Sequence, residues 1–418
     1  MARGAGDTGT APDRGRPFGE RWRDGYREAT EPVRDAFSGV RTRFEALPSV
    51  ARWAVIGLVI VLAYALPGFL PYFTTRSLYW TNILTKIGIA ALLALGLNVV
   101  VGFAGLLDLG YVAFFAVGAY SFAILSGAAK FAVVQYQVTS GALKGVNPVD
   151  YLPHWTMWFW LIFFAALAIA LLAGVILGAP TLRLRGDYLA IVTLGFGEIV
   201  RITANNLDSI VNGPRGVQNI PNPQINIASF HYTFGTQNSL NDPFYWLLLT
   251  IIIIWIFFLR RLSVSRIGRA WAAIREDELA AAAMGVATVR MKLMAFAIGA
   301  AVASLGGVVY ASQVAFISPD TFSLFNITFG SVTILAMVVI GGMGGIAGPI
   351  VGAALIIFLP EYFRSLSDSR LLVFGAVLVI VMVLRPQGLI SSRRRAAELS
   401  GGESRDTTVF EAQEHGGV

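Results

Sequence analysis

Long runs of apolar residues dominate the chain from residue 52 onward. Several of these runs approach the ~20 residues that an α-helix needs to cross the hydrocarbon core of a bilayer. The runs cover residues 52–70, 82–101, 106–126, 156–178, 187–204, 244–260, 290–312, 326–343, 346–363 and 369–384. Because a segment in lipid must satisfy its own backbone hydrogen bonds, the pattern predicts an all-α, polytopic membrane protein of about ten transmembrane helices.

Polar segments flank this apolar region on both sides. Residues 1–50 are rich in Arg, Gly and Asp and contain no apolar stretch typical of a signal peptide. The first half of this extension is predicted to be disordered. Its second half carries apolar residues three and four apart, which favours an amphipathic helix at the membrane surface; a solvated extension with accidental periodicity is the alternative. The apolar residues on this predicted helix are Val33, Phe37, Val40, Phe44 and Leu47. The sequence thus predicts a transmembrane permease domain at 51–390 and a C-terminal tail at 391–418.

Composition narrows the class of protein further. Only 14% of the 418 residues are charged and the mean hydropathy is +0.66, whereas a soluble protein carries about a quarter charged residues. The chain has no cysteine and three widely separated histidines, so disulfides, thiolate ligands and a zinc active site are not expected. None of the four lysines stands in the Gly-Lys-Ser/Thr sequence of a P-loop. We therefore predict a non-catalytic chain that binds no metal or cofactor and hydrolyses no ATP.

The distribution of basic residues predicts the orientation in the membrane. Of the 32 Lys and Arg residues, 24 lie in four segments: 1–52, 181–186, 260–292 and 385–418. Six lie in the intervening loops, and two, Lys86 and Arg201, lie within or at the ends of apolar runs. Basic loops face the cytoplasm in membrane proteins, so both termini and the 260–292 loop are predicted to be cytoplasmic. The net charge of +7 then reflects this bias, and no nucleic-acid partner is expected.

The 260–293 segment contains the most specific pattern. Arginines are followed by the acidic triplet Glu276–Asp277–Glu278, an alanine-rich run and Gly285. Acidic residues near the start, alanine in the middle and glycine at the end are typical of a short helix. A solvated loop would explain the arginines but not this order. The sequence predicts a short helix over Glu276–Gly285, between two membrane spans.

Candidate residues for a translocation path are polar or glycine residues within the apolar runs. Asp108 begins the third run and is interpreted as its N-cap, with a functional role as the alternative. Glu198 and Arg201 are three residues apart on a helix and are expected to pair, either as a structural ion pair or beside the path. The strings VVVGFAG and VVIGGMG align Gly102 with Gly341 and Gly105 with Gly344, which is either an internal inverted repeat or coincidence. The candidate path residues are Gly102, Gly105, Asp108, Thr193, Glu198, Gly341 and Gly344.

Glycine pairs four residues apart occur at Gly174–Gly178 and Gly348–Gly352. Such pairs allow close approach of helices, and we interpret both as packing surfaces and not as substrate contacts.

Four segments together resemble the transmembrane permease subunits of bacterial branched-chain amino-acid ABC importers, over roughly residues 80–390. They are GLNVVVGFAGLLDLGYVAFFAVGAY (96–120), RGDYLAIVTLGF (185–196), AIREDELAAAAMG (273–285) with the following MKLMAFAIGAAVASLGGVVYA, and GGMGGIAGPIVGA (341–353) with RPQGL (385–389).

The resemblance implies that residues 273–285 form a coupling helix that docks into a cleft on an ATPase subunit. The implied docking residues are Arg275, Glu276, Asp277, Glu278, Ala280, Ala281 and Gly285. In the importer pattern Glu-Ala-Ala-x-x-x-Gly, this chain places Leu279 at the glutamate and Glu278 one residue earlier.

The resemblance also implies the surroundings of the chain. A second, different permease subunit, two ATP-binding subunits that use ATP, and an extracytoplasmic substrate-binding protein are expected as partners. The expected location is the bacterial inner membrane, where the chain passes through the lipid several times with both termini in the cytoplasm.

The implied function is import of leucine, isoleucine or valine, and two alternatives stay open. A related permease for urea or short amides would share the glycine-rich motifs. An ion-coupled secondary carrier would need a coupling carboxylate near the middle of the membrane, for which Glu198 is the main candidate. An intramembrane enzyme fits least, because no nucleophile or zinc motif is evident.

Overall fold

The computed structural model describes residues 49–73, 77–126, 157–181, 187–218, 220–227, 230–233, 243–363, 372, 375–376, 379 and 388–390. The chain divides into two compact units, residues 1–63 and residues 64–418. The predicted amphipathic helix, most of the tenth apolar run and the C-terminal tail lie outside the described residues.

The described residues are almost entirely helical, as predicted. The first half contains six helices: α1 (Ser49–Phe73), α2 (Ser77–Asn98), α3 (Val112–Leu125), α4 (Met157–Thr181), α5 (Asp187–Asn206) and α6 (Asp208–Val211). The second half contains six more: α7 (Pro243–Val264), α8 (Arg266–Glu276), α9 (Glu278–Ala283), α10 (Thr288–Val314), α11 (Ser331–Gly341) and α12 (Ala347–Tyr362).

Short non-α segments connect these helices. A π-helical turn at Val99–Phe103 continues α2, and 3-10 turns lie at Gly213–Arg215 and Pro319–Phe322. The strands β1 (Val217–Gln218) and β4 (Phe316–Ile317) pair antiparallel, as do β2 (Gln224–Ile227) and β3 (Phe230–Thr233). The sequence did not predict these strands, because a search for long apolar runs does not detect strands of two to four residues.

Two predicted spans are shorter in the structure than in the sequence. The 106–126 run is helical only from Val112, and the 326–343 run only from Ser331 to Gly341. A glycine lies just before the first helical residue in both cases, Gly110 before α3 and Gly330 before α11. A Cβ added at these glycines would lie 1.8 and 2.5 Å from backbone atoms. These stretches are irregular backbone that is partly buried in the protein, and membrane proteins tolerate such backbone where it is away from lipid.

Four helices are long and apolar enough to cross a membrane within the described part of the chain: Tyr79–Phe103, Trp160–Ala179, Pro243–Val264 and Thr288–Val314. On α4 and α7 the outward faces are apolar, with Phe164, Ile176 and Ile254 each about 60–63% exposed. Apolar surface of this extent is typical of helices that meet lipid or another apolar partner. The number of spans for the whole chain stays a prediction.

Helix α10 is the centre of the bundle and packs against α2, α3 and α4. Small residues make the approach close: a Cβ added at Gly174 of α4 would lie 2.7 Å from Ala300 Cβ, and one at Gly118 of α3 would lie 2.4 Å from Ser304 Cα. Gly352 of α12 lies against Met337 O of α11 in the same way, at 1.9 Å from an added Cβ. Both glycine pairs therefore lie at helix contacts, which agrees with their interpretation as packing surfaces.

Candidate functional site

The connection between α7 and α10 forms two helices where the sequence predicted one. We call residues 265–287, which include α8 and α9, the α8–α9 segment. Helix α8 begins after Ser265, whose Oγ accepts a hydrogen bond from Gly268 N at 3.3 Å. It ends at Asp277, where the backbone is extended with φ −154° and ψ 112°. The predicted start at Glu276 is therefore wrong, because Asp277 separates Glu276 from the second helix.

Asp277 is the N-cap of α9. Its Oδ1 accepts hydrogen bonds from Leu279 N at 2.8 Å and Ala280 N at 3.0 Å, which satisfies two of the free donors at the helix start. The predicted end of this helix is confirmed. Gly285 has φ +86°, and hydrogen bonds from Gly285 N to Ala282 O and from Val286 N to Ala281 O close a glycine-dependent C-terminal turn, each at 3.0 Å.

The three acidic residues of the triplet have three different environments. Glu276 is exposed at the end of α8, and Asp277 caps α9. Glu278 Oε1 lies 2.6 Å from Nζ of Lys292 in α10, and the Lys292 side chain is only 4% exposed. Glu278 therefore connects α9 to α10 inside this chain and is not an exposed docking residue.

The alanines of α9 differ in their exposure. Ala281 is buried at 4% exposure, whereas Ala280, Ala282 and Ala283 are exposed. Large apolar side chains on either side of the run are also exposed, Leu279 at 63% and Met284 at 85%. Of the predicted docking residues, Ala281 packs within the chain. Four others are exposed and available to a partner: Glu276, Asp277, Ala280 and Gly285.

Helix α8 is held on its inner face by two long side chains. Trp271 is fully buried and its Nε1 donates to Met291 O of α10 at 2.7 Å. Arg275 Nη1 donates to Gly102 O at 2.8 Å. The family resemblance implied that Arg275 is a docking residue, but the structure turns it inward onto the turn that follows α2. Because the sequence did not predict α8, it gave no indication of which face of this helix would be buried.

The π-helical turn at Val99–Phe103 and residues 104–111 interrupt the helical path between α2 and α3. We call this stretch the α2 break. Asn98, which is fully buried, joins it to residues 342–346, the turn between α11 and α12. Asn98 Nδ2 donates to Gly345 O at 2.8 Å, and Gly344 N donates to Asn98 Oδ1 at 2.9 Å. Two interrupted helix ends therefore meet through one amide side chain.

The two aligned glycine strings lie at this junction. A Cβ added at Gly102 would be 2.7 Å from Gly344 N. Gly105 and Gly344, which the alignment equates, both have positive φ, at +72° and +79°. Gly341 is the last residue of α11, as Gly102 belongs to the last turn after α2. The local conformations agree with the alignment, and the inverted repeat itself stays a prediction.

Asp108 is not the N-cap of a helix, so that interpretation is wrong. It is 1% exposed and lies four residues before Val112, the first residue of α3. Its Oδ1 accepts a hydrogen bond from Gly110 N at 2.9 Å. Val112 N donates instead to Ser331 Oγ at 2.9 Å. Ser331, on a helix that is far away in sequence, thus makes the capping contact that was expected of Asp108.

Thr193 holds the same stretch from α5. Its Oγ1 accepts a hydrogen bond from Leu109 N and donates one to Ala190 O, each at 3.1 Å. Asp108 and Thr193 are therefore brought together at the end of the α2 break, whereas Glu198 lies further along α5.

Glu198 and Arg201 pair as expected. Arg201 Nε donates to Glu198 Oε1 at 2.8 Å, and Arg201 Nη2 contacts the same oxygen. Arg201 Nη1 also lies 3.6 Å from Asp320 Oδ1 in the 3-10 turn that follows α10. This arginine connects α5 to the far end of α10, away from the α8–α9 segment at its beginning.

Sequence reasoning missed Asn98, Trp271 and Lys292. Asn98 and Lys292 are polar residues within or beside apolar runs, a signal that marks functional or structural pairing in membrane proteins. Trp271 gave no such signal, because a tryptophan in a basic loop is equally compatible with solvent or interface.

Comparisons with known proteins agree with this architecture. Residues 79–384 match the family described as branched-chain amino acid transport system / permease component. The chain is 36% identical over 363 residues to the high-affinity branched-chain amino acid transport system permease protein LivM of Salmonella typhimurium, covering 83% of this chain and 76% of LivM. It is 37% identical over 362 residues to LivM of Escherichia coli, covering 83% and 77%.

A shorter similarity relates the chain to LivH of Escherichia coli, the permease protein of a high-affinity branched-chain amino acid transport system, with 30% identity over 148 residues, 33% of this chain and 46% of LivH. No solved structure matches the chain.

Proposed function

Because this chain belongs to the branched-chain amino-acid transport permease family, we propose that it is a membrane-spanning permease subunit of an ATP-driven importer for leucine, isoleucine and valine. One observation of the structure supports this reading more than any other. The α8–α9 segment joins two long apolar helices, presents Leu279 and Met284 outward, and contacts the α2 break inward through Arg275. A segment with these two faces is suited to pass movement from a soluble motor to membrane helices.

The proposed partners follow from the same reading. Two ATP-binding subunits would dock on the α8–α9 segment and hydrolyse the ATP. A second permease subunit would complete the pathway, as the similarity to both LivM and LivH proteins suggests. An extracytoplasmic binding protein would deliver the amino acid to the opposite face. The proposed location is the bacterial inner membrane with both termini in the cytoplasm.

The carrier alternative receives no support from the geometry of Glu198. A coupling carboxylate must exchange its ion or proton during each cycle. Glu198 instead accepts two contacts from the guanidinium of Arg201, so its carboxylate already has a charged partner on its own helix. It is better explained as a structural pair of α5.

Reconstitution tests the proposed function directly. Vesicles that contain this chain, a second permease, the ATPases and the binding protein are expected to accumulate radiolabelled leucine, isoleucine and valine only with ATP. Vesicles that contain this chain alone should show neither ATP hydrolysis nor uptake. Gradient-driven uptake by the chain alone would identify a carrier, and ATP-driven uptake of urea without leucine would identify the amide permease.

Single-cysteine labelling tests the orientation. The chain has no natural cysteine, so Glu276→Cys and Arg215→Cys, both at exposed positions, give matched probes. In intact spheroplasts a membrane-impermeant maleimide should label Arg215→Cys, whereas Glu276→Cys should react only after permeabilisation. The reverse result would invert the proposed orientation.

A further inference from the structure

Arg275 contacts the α2 break at two points. Its Nη1 donates a hydrogen bond to Gly102 O at 2.8 Å. The aliphatic part of its side chain lies over Gly105, where an added Cβ would come within 2.7 Å of Arg275 Cγ. The end of α8 is therefore seated against the turn that follows α2, with no side chain of Gly105 between them.

A positive charge at this position suits the local backbone. Carbonyl groups at the end of a helix lack partners within the helix and carry partial negative charge. In the α2 break, Ala104 N donates to Val99 O at 3.2 Å and Leu106 N donates to Val100 O at 3.0 Å. Gly102 O receives the guanidinium, which stays charged and donates in fixed directions. The contact is therefore a charge-assisted hydrogen bond to a carbonyl at a helix end.

The opposite side of the same turn is joined to the connection between α11 and α12. Asn98 bonds to both Gly344 N and Gly345 O, and Gly102 lies directly against Gly344 N. These neighbours leave the turn little room to move independently. A displacement of Gly102 by Arg275 would therefore displace residues 342–346 as well.

We propose that Arg275 is a positioning residue that transmits movement of the α8–α9 segment to the α2 break and, through Asn98, to residues 342–346. This inference rests on the proposed function, because it requires an ATPase that moves the segment. It assigns to Arg275 an inward mechanical role in place of the outward docking role that the sequence indicated. Arg275 does not contact the transported molecule in this scheme.

The first test compares Arg275→Ala with Arg266→Ala in the reconstituted complex with its ATPases. Arg266 is an exposed arginine at the other end of α8 and is the matched control. Arg275→Ala should retain copurified ATPase subunits and hydrolyse ATP, while leucine uptake per ATP hydrolysed falls by about tenfold. Arg266→Ala should behave as the unmodified complex does. Arg275→Lys keeps the positive charge and an N–H donor, so it should recover part of the coupling.

A second measurement requires no transported substrate. The variant Met343→Cys places a thiol in the 342–346 turn. The rate at which this thiol is labelled is measured in the same complex with and without ATP plus vanadate. The unmodified background is expected to show a nucleotide-dependent change in this rate, and Arg275→Ala is expected to abolish it while ATP hydrolysis persists.

The two failures are distinguishable. If the unmodified complex binds no ATPase and transports nothing, the proposed function fails. If the unmodified complex transports and shows the nucleotide-dependent labelling, and Arg275→Ala preserves both, Arg275 does not transmit the movement and the inference is overturned. Loss of copurified ATPase in Arg275→Ala would also overturn it, because that result restores the outward docking role.

Discussion

Charge reversal at Glu278 is expected to destabilise the junction of α9 and α10 by about 3 kcal/mol, whereas the same reversal at Glu276 should cost almost nothing. Lys292 Nζ is buried and lies 2.6 Å from Glu278 Oε1. Glu278→Lys would remove its partner and add a second positive charge beside it. Glu276 is exposed at the end of α8, so Glu276→Lys is the matched control. The thermal midpoint of the detergent-purified protein should fall by several degrees only for Glu278→Lys.

A compensating pair sharpens this test. Lys292→Met alone removes the buried ammonium, and together with Glu278→Gln it replaces the ion pair by a neutral arrangement. Such replacements are often close to neutral for stability, although breaking one partner is not. The double variant should therefore be more stable than Glu278→Lys. Equal midpoints for Glu276→Lys and Glu278→Lys would show that the pair contributes nothing to the fold.

Substitution of Leu279 and Met284 by aspartate is expected to weaken association with the ATPase subunits by about 30-fold or more, the effect of losing one strong apolar contact. Both side chains are exposed next to the alanine run, at 63% and 85%. Because both side chains are largely exposed, the double variant Leu279→Asp/Met284→Asp should insert and fold normally. Copurification of tagged permease with the ATPases measures the loss.

Leu279→Met and Met284→Leu are the matched controls, because they keep an apolar side chain of similar size at each position. They should copurify as the unmodified chain does. Normal ATPase association of the aspartate variant would exclude this face as the docking surface. Ala281 is a poor probe for the same question, since it is buried and a bulky replacement there would disrupt packing inside the chain.

Much of the local structure could be predicted from residue order. The apolar runs located the long helices, because a membrane segment must be both apolar and helical. Gly285 was identified as a helix end, since a positive φ after a helix favours glycine. The pairing of Glu198 with Arg201 followed from helix geometry alone, as both residues belong to one element.

The candidate site was harder to predict, because three of its errors concerned packing or partners elsewhere in the chain. Asp108 was assigned to the start of α3, but Ser331 provides that contact across 219 residues. Arg275 was assigned to the docking surface, but its partner Gly102 is 173 residues away. Ala281 was assigned to an exposed surface, although the packing of α9 buries it. Periodicity describes one helix and contains no information about which face a neighbour covers.

The sequence by itself determined the class of protein, the positions of the long apolar helices, the glycines at which helices end, and the family. These properties depend on residue type and on spacings within a helix turn, where backbone geometry is the same in every protein. Only the tertiary structure decided that the α2 break meets residues 342–346 through Asn98, and that α8 contacts this break through Arg275. Those contacts join residues that are 173 to 247 positions apart. They exist because α2 packs against α11 and α12, which brings the interrupted helix ends together.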